Sequence, residues 1–293
     1  MGLMRNGECP PTFETKAIAK TDDDQEVPVN ATLIGIEENG SVKSFVIILR
    51  NEMELEKQRV EAEKAKAQSE KLLFQILPRD IVVRLDQGEK DISFVVPSAS
   101  IIFADIVKWS EYSASLSPAQ IMCTLSMIFD KFDEMTAKYE LITKIKLIGD
   151  VYMAAGGLFT PDKPPQEHAQ QVLQLGLDIL GVIDEVNSQL ESNLQIRIGV
   201  NTNGPLIAGI LGIHKPTFDI IGDPINVASR LQSTCIPGTV QISQKTFELV
   251  SNMNFNIEPR GEIELKGKGK QMAYIVRPAF ANTLIMSALS SID

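Results

Sequence analysis

The sequence predicts an α+β fold, an antiparallel sheet with flanking helices, preceded by an N-terminal helical linker. Three observations predict it. Between about residues 94 and 278, apolar runs of strand length alternate with amphipathic stretches in the order strand, helix, strand, strand, helix, strand, a split βαβ arrangement with helices over one face. Residues 51–77 contain neither Gly nor Pro and are rich in Glu, Lys, Ala and Gln, as a continuous helix requires. The composition, 44% hydrophobic and 23% charged over 293 residues, is that of a globular chain with core enough for one or two domains.

Residues 1–50 read as short strands and turns: Phe13 to Lys20, an acidic turn at Asp22-Asp23-Asp24, Val27 to Ile36, a turn at Asn39-Gly40, and Val42 to Leu49. This resembles the last three strands of a PAS sensor domain, which implies an upstream sensor region. The helix over 51–78 stops at Pro78. A heptad seam runs through Leu55, Gln58, Ala62, Ala65, Ser69, Leu72 and Ile76, and the apolar end at Leu72, Leu73, Ile76 and Leu77 must bury against something. A parallel coiled-coil linker is expected, with a solvated single helix as the alternative.

The strand Ser98 to Val107 is followed by Ser117-Pro118-Ala119-Gln120, a capping box with Pro at the first helical position. The helix behind it carries Ile121, Leu125, Ile128, Phe132 and Met135 on one face and runs to about Lys138. Strands Leu141 to Ile148 and Val151 to Ala155 meet at Gly149-Asp150 as a hairpin. Pro164-Pro165 opens a second helix, with Val172, Leu175, Ile179, Val182, Val186 and Leu190 inward, before the strand Gln195 to Asn201. Further strands are expected at 206–213, 218–221, 240–242, 257–265 and 272–276, and short helices at 224–233 and 244–250. Residues 279–293 read as a loose tail.

Charge excludes one class of function. With 28 Lys+Arg against 38 Asp+Glu, the net charge of -10 repels nucleic acid, so no nucleic-acid partner is expected. Only His168 and His214 are available for a histidine-rich metal site, whereas carboxylates suit hard cations such as Mg²⁺. Cys9, Cys123 and Cys235 are odd in number and far apart, which fits a reducing, cytoplasmic compartment. No apolar run is long enough to span a bilayer. The sequence leaves open whether an upstream region makes this the cytosolic part of a larger membrane protein.

Asp105 follows the apolar run Ile101-Ile102-Phe103-Ala104, and Asp150 sits in the hairpin after Ile145 to Ile148. Neighbouring strand ends can bring them together, and two converging carboxylates repel unless a divalent cation lies between them. Taken singly, each is equally a turn or helix-entry residue. The segments Ile102-Phe103-Ala104-Asp105-Ile106-Val107, Lys144 to Met153 and Phe218 to Leu231 closely resemble the class III adenylyl and guanylyl cyclases, over about 94–278. The resemblance implies a ferredoxin-like catalytic domain working as a dimer, with substrate held between subunits. It implies that Asp105 and Asp150, with Ile106 beside them, hold two Mg²⁺ ions, for which Mn²⁺ may substitute. It places Arg230 at the transition-state arginine, Asn226 at the ribose-orienting position, and Lys266 and Arg197 at phosphate-binding positions.

Lys146 and Asp219 sit at the two family positions that read the base. Adenine offers an acceptor at N1 and a donor at N6, so a lysine beside a carboxylate is complementary. Guanine offers an acceptor at O6 and donors at N1 and N2, where a carboxylate would replace the lysine. ATP is therefore the expected substrate and cyclic AMP the product. Both halves of the family's site lie on this one chain, so a homodimer with two shared sites is expected and a monomer is nearly inactive. Two alternatives stand beside this reading, a guanylyl cyclase and a catalytically weak regulatory dimer. The sequence departs from the family at Lys108, where Gly is usual, at Trp109 in place of Phe, and at Asp223-Pro224 in place of a polar pair. Lys108 puts turnover in doubt more than identity.

Overall fold

A computed structural model describes residues 12–38, 41–212 and 214–278. The expected turn at Asn39-Gly40, the tail 279–293 and Cys9 lie outside the described residues. The chain divides into two units, Met1–Ile76 and Leu77–Asp293.

In the first unit, β1 (Thr12–Lys20), β2 (Glu26–Glu38) and β3 (Ser41–Asn51) form an antiparallel sheet in chain order. Helix α1 (Met53–Ile76) follows, its start held by Asn51 Oδ1, which accepts from the Met53 amide at 2.8 Å. No α1 residue is buried, and Leu55, Leu72 and Ile76 of the heptad seam are each more than half exposed.

The second unit runs α2 (Arg79–Asp86), β4 (Ser93–Val96), β5 (Ala99–Ile106), α3 (Trp109–Ser113), α4 (Pro118–Thr136), β6 (Ile142–Ile148), β7 (Val151–Gly156), α5 (Pro165–Leu190), β8 (Ile196–Asn203), β9 (Leu206–Leu211), β10 (Thr217–Ile221), α6 (Asp223–Ser233), β11 (Val240–Ser243), α7 (Gln244–Val250), β12 (Asn256–Leu265) and β13 (Gly269–Arg277). A seven-stranded sheet has the order β12-β13-β11-β8-β5-β7-β6, and a three-stranded one the order β10-β9-β4. The large sheet is antiparallel except where β11 lies parallel to β8. A parallel neighbour needs a crossover connection, and the stretch through β9, β10 and α6 supplies it. The single strand expected over 98–107 is β5, and β4 just before it, not expected from the sequence, belongs to the small sheet.

All eight residues of β5 are buried. Alternate residues serve opposite faces: Ile102 and Ala104 join Tyr152, Ile198 and Val200 under α4 and α5, whereas Ile101 and Phe103 join Met153 and Ala155 under α2, α6 and the small sheet. Both faces are therefore covered, not one. The uninterrupted run Ile101-Ile102-Phe103-Ala104 carries that signal, because a strand buried on both sides loses its polar alternation.

Helix α4 begins with the expected capping box, the Ser117 amide and the Gln120 side chain meeting at 2.9 Å and the Gln120 amide reaching Ser117 Oγ at 3.4 Å. Such a cap contributes about 1 kcal/mol. His168, on α5, is 2% exposed, with Nδ1 2.9 Å from Ser100 Oγ, which in turn lies 2.6 Å from Thr202 Oγ1. Burial pulls its pKa down to about 4. Between pH 6.5 and 4 the unfolded chain takes up a proton at this residue that the folded chain refuses, so folding stability falls with pH across that window. Thermal melting of the protein is expected to drop over this range, and His168→Gln to flatten the drop. Among the described residues no helix is long and apolar enough to cross a membrane.

Candidate active site

The β6–β7 turn is two residues long, Ile148 pairing with Val151, and Gly149 takes φ 63° at its first position, as a type II′ hairpin demands. That turn places Asp150 immediately before Val151, whose register partner on β5 is Asp105. The two carboxylates expected to meet are thus brought to one end of adjacent strands. Partial burial, and then the charge of Asp105, push the Asp150 carboxyl up, while Arg197 opposes the shift.

Asp105 is 7% exposed, so its charge requires partners. Arg197, its register partner on β8, donates from Nε to Oδ2 at 2.5 Å, and Gln232 on α6 donates from Nε2 to the same oxygen at 3.0 Å. Among the described residues Oδ1 accepts no hydrogen bond. The resemblance implies a phosphate role for Arg197, and the structure commits it to Asp105 and, through Nη1, to the Ser233 carbonyl at 3.3 Å. Sequence reasoning missed Gln232, since nothing local ties it to a carboxylate 127 positions away. Ile106 is 1% exposed with its side chain in the core beneath the helices, which leaves its backbone carbonyl as the only group able to face an ion.

Lys146 and Asp219, 73 positions apart, form an ion pair, Nζ to Oδ2 at 2.6 Å, with Asp219 the more enclosed of the two. The Asp219 carboxylate is also fixed by the Ile220 amide, which donates to Oδ1 at 2.9 Å. One side of this pair is a donor and the other an acceptor.

Helix α6 lies directly against β8. A Cβ on Gly199 would stand 2.1 Å from the Gln232 amide nitrogen, so only glycine lets the helix settle here. Asn226 and Arg230 are one turn apart on α6 and share a face. Neither makes a side-chain hydrogen bond or ion pair among the described residues, and neither does Lys266, which is exposed at the β12–β13 turn. Arg230 Nη2 lies 4.0 Å from the point where a Gly267 Cβ would stand, so its guanidinium flanks that turn. Lys268 ties the turn to the start of α6 through Asp223 Oδ2 at 2.6 Å, a link the sequence did not announce.

The departures from the family pattern are absorbed by the backbone. Lys108 takes the left-handed φ of 59° that a glycine adopts freely, and its Nζ turns to Glu111 at 3.2 Å. Pro224 sits in the first turn of α6, where its missing donor costs nothing.

Residues 95–278 match the family model described as the adenylate and guanylate cyclase catalytic domain. The chain is 33% identical over 235 residues to the soluble guanylate cyclase subunit beta-2 of Rattus norvegicus, covering 80% of this chain and 32% of that one. It is also 33% identical over 232 residues to the germination-specific adenylate cyclase of Dictyostelium discoideum, covering 78% and 27%. The chain therefore spans about a third or less of these relatives. Among solved structures, the catalytic core of a rhodopsin-guanylyl cyclase with converted specificity, in complex with ATPαS, aligns with a TM-score of 0.58 at 32% identity, over 64% of this chain and 98% of that one. The adenylyl cyclase CyaB from P. aeruginosa shares the fold, with a TM-score of 0.60 at 24% identity over 64% of this chain and 97% of its own.

Proposed function

The chain belongs to the adenylate and guanylate cyclase catalytic domain family, and on that premise we propose that it is an adenylyl cyclase, making 3′,5′-cyclic AMP and pyrophosphate from ATP at sites shared by two copies of the chain. The observation that carries the choice of base is the ion pair of Lys146 and Asp219. The lysine donates to adenine N1 and the carboxylate accepts from N6. Guanine would set its O6 acceptor against the carboxylate and its N1–H donor against the ammonium. A mismatch of this kind costs about 1–3 kcal/mol for each buried group left unpaired, roughly tenfold to a hundredfold in selectivity.

The residues at the strand ends fit Mg²⁺. Asp105 offers Oδ1, Asp150 a carboxylate whose charge is disfavoured by burial and by its neighbour, and Ile106 a carbonyl, all hard oxygen donors. Mg²⁺ is ordinarily held by one or two carboxylates, completing its shell with substrate phosphates and water. When bound, Mg²⁺ or Mn²⁺ lowers the pKa of the ribose 3′-hydroxyl and neutralises the triphosphate. The chain's own groups do the rest. Asn226 orients the ribose, Arg230 meets the charge that grows on the α-phosphoryl oxygens, and Lys266 holds the triphosphate at the hairpin turn. Arg197 steadies Asp105, and its Nη2 remains to meet a phosphate oxygen.

Helix geometry favours sharing between chains. Gln232 faces Asp105, and Arg230, two residues earlier, points about 200° around the helix from it. Arg230 and Asn226 thus turn away from their own chain's carboxylates and serve those of a second copy. A surface for that copy is available: Val95, Ile207 and Ile221 stand side by side across the small sheet, each more than half exposed. Such an apolar row marks an association surface. The same proposal makes residues 1–50 a partial PAS-like segment and 51–78 a coiled-coil linker. Three antiparallel strands and a 24-residue helix with an exposed seam support it.

The test is to incubate the purified chain with ATP or GTP and Mg²⁺ or Mn²⁺, and to measure cyclic nucleotide and pyrophosphate. Cyclic AMP in excess is expected. Cyclic GMP in excess overturns the base assignment, and no product from either nucleotide favours the regulatory dimer.

A further inference from the structure

Strand β6 carries two lysines two positions apart, Lys144 and Lys146, and strand alternation would put both on one face. They point to opposite faces. Lys144 pairs in register with Ala154, and Lys146 with Met153, the very next residue back along β7. Ala154 belongs to the core under α4 and α5, and Met153 to the core under α6 and the small sheet. Ile145 is the extra residue of a β-bulge, and it packs on the second of these cores. The bulge turns Lys146 over to the side where Asp219 waits, 2.6 Å away.

Something must keep the extra residue in place, since sliding the register by one would return Lys146 to the face under α4 and α5. Lys144 is the anchor. Its Nζ donates to Asp133 Oδ2 on α4 at 2.5 Å and lies 5.4 Å from the centre of the Tyr152 ring. Tyr152, fully buried, donates its hydroxyl to Asp133 Oδ1 at 2.7 Å, and Thr136 Oγ1 lies 2.9 Å from the same hydroxyl. A cation, a carboxylate and a phenol thus clamp the residue just before the bulge to α4.

We propose that Lys144, clamped by Asp133 and Tyr152, is a positioning residue for nucleobase selection, fixing the bulge at Ile145 and with it the face on which Lys146 reads the base. This rests on the reading of Lys146 and Asp219 as the base-contacting pair. Lys144 itself touches no substrate.

The experiment compares ATP and GTP kinetics of the wild type with those of Lys144→Met, which keeps the length of the stem and loses the charge, and Lys144→Arg, which keeps the charge. Thermal melting and dimer formation are checked for each. Whichever nucleotide the wild type prefers, Lys144→Met is expected to move the ratio of kcat/KM values about tenfold toward one, mainly through KM, and Lys144→Arg to restore it. A folded, dimeric Lys144→Met enzyme whose nucleotide ratio stays within about twofold of wild type overturns the proposal. A fall in kcat that is equal for both nucleotides also overturns it, since that is the mark of general loosening. Should Lys144→Met fold poorly, Asp133→Asn is read by the same ratio. A wild type that prefers GTP contradicts the adenine assignment alone, because the shift of the ratio is still measured.

Discussion

Mixing Asp150→Ala chains with Arg230→Ala chains in equal amounts is expected to restore cyclase activity to about a quarter of the wild-type level, although each variant alone is inactive. Random pairing makes half of the dimers mixed. In each mixed dimer one site is doubly broken, and the other receives intact carboxylates from the Arg230→Ala chain and an intact arginine from the Asp150→Ala chain. Alone, Arg230→Ala loses the groups that meet transition-state charge, a deficit of about a hundredfold to a thousandfold or more. Asp150 is a better choice than Asp105 for the metal side. Burial and then the charge of Asp105 disfavour the ionised Asp150 carboxyl, so its removal is expected to leave the fold intact. Removing Asp105 instead leaves Arg197 and Gln232 without the oxygen they share, a structural cost that would blur the result. Differently tagged chains show whether mixed dimers form. Mixed dimers without recovered activity would falsify the shared site, and so would full activity of an isolated monomer.

The second large effect concerns the base. Lys146→Glu is expected to lower ATP turnover by about tenfold to a hundredfold without opening the site to GTP. The structure explains why a single exchange is insufficient. Lys146 Nζ lies 2.6 Å from Asp219 Oδ2, so the substitution sets two carboxylates against each other where an ion pair stood. GTP turnover is expected to rise only when Asp219→Ser is added, because a hydroxyl can donate to guanine O6 while the new carboxylate accepts from N1 and N2. Steady-state kcat/KM for both nucleotides in wild type, single and double variants checks this. If Lys146→Glu leaves the ATP to GTP ratio unchanged, these side chains do not contact the base.

Much of the fold was legible because its signals are local. The period of Ile121, Leu125, Ile128 and Phe132, the capping box at Ser117 and the doubled proline at 164–165 define α4 and α5 within a few residues. The Gly149-Asp150 turn announced a hairpin for the same reason. Short elements were harder. Helix α2 owes its place to Ile81 and Val82 sinking into the core, and α3 hangs on a left-handed Lys108, a conformation the residue type does not advertise.

The candidate site divides along the same line. The resemblance of the motifs around Asp105, Lys146, Asp150, Asp219, Asn226 and Arg230 to the cyclase family suggested carboxylate, base-reading and phosphate chemistry, since each motif is a short contiguous stretch of sequence. Which groups touch was settled in three dimensions. Arg197 and Gln232 converge on one oxygen of Asp105, and Lys268 bridges to Asp223, through contacts spanning 45 to 127 positions. The bulge at Ile145 is the sharpest case. The pattern Lys-Ile-Lys reads as two lysines on one side of a strand, and only the pairing of β6 with β7 turns one of them over.

By itself, then, the sequence determined the family, the order of the main elements and the kinds of chemistry available, because periodicity, caps and side-chain identity act over a few residues. Tertiary structure alone decided the two-sided burial of the sheet, the parallel strand pair, the partners of Asp105 and the direction of Lys146. These depend on register and on contacts between segments far apart in the chain, where a shift of one residue reverses the face a side chain occupies.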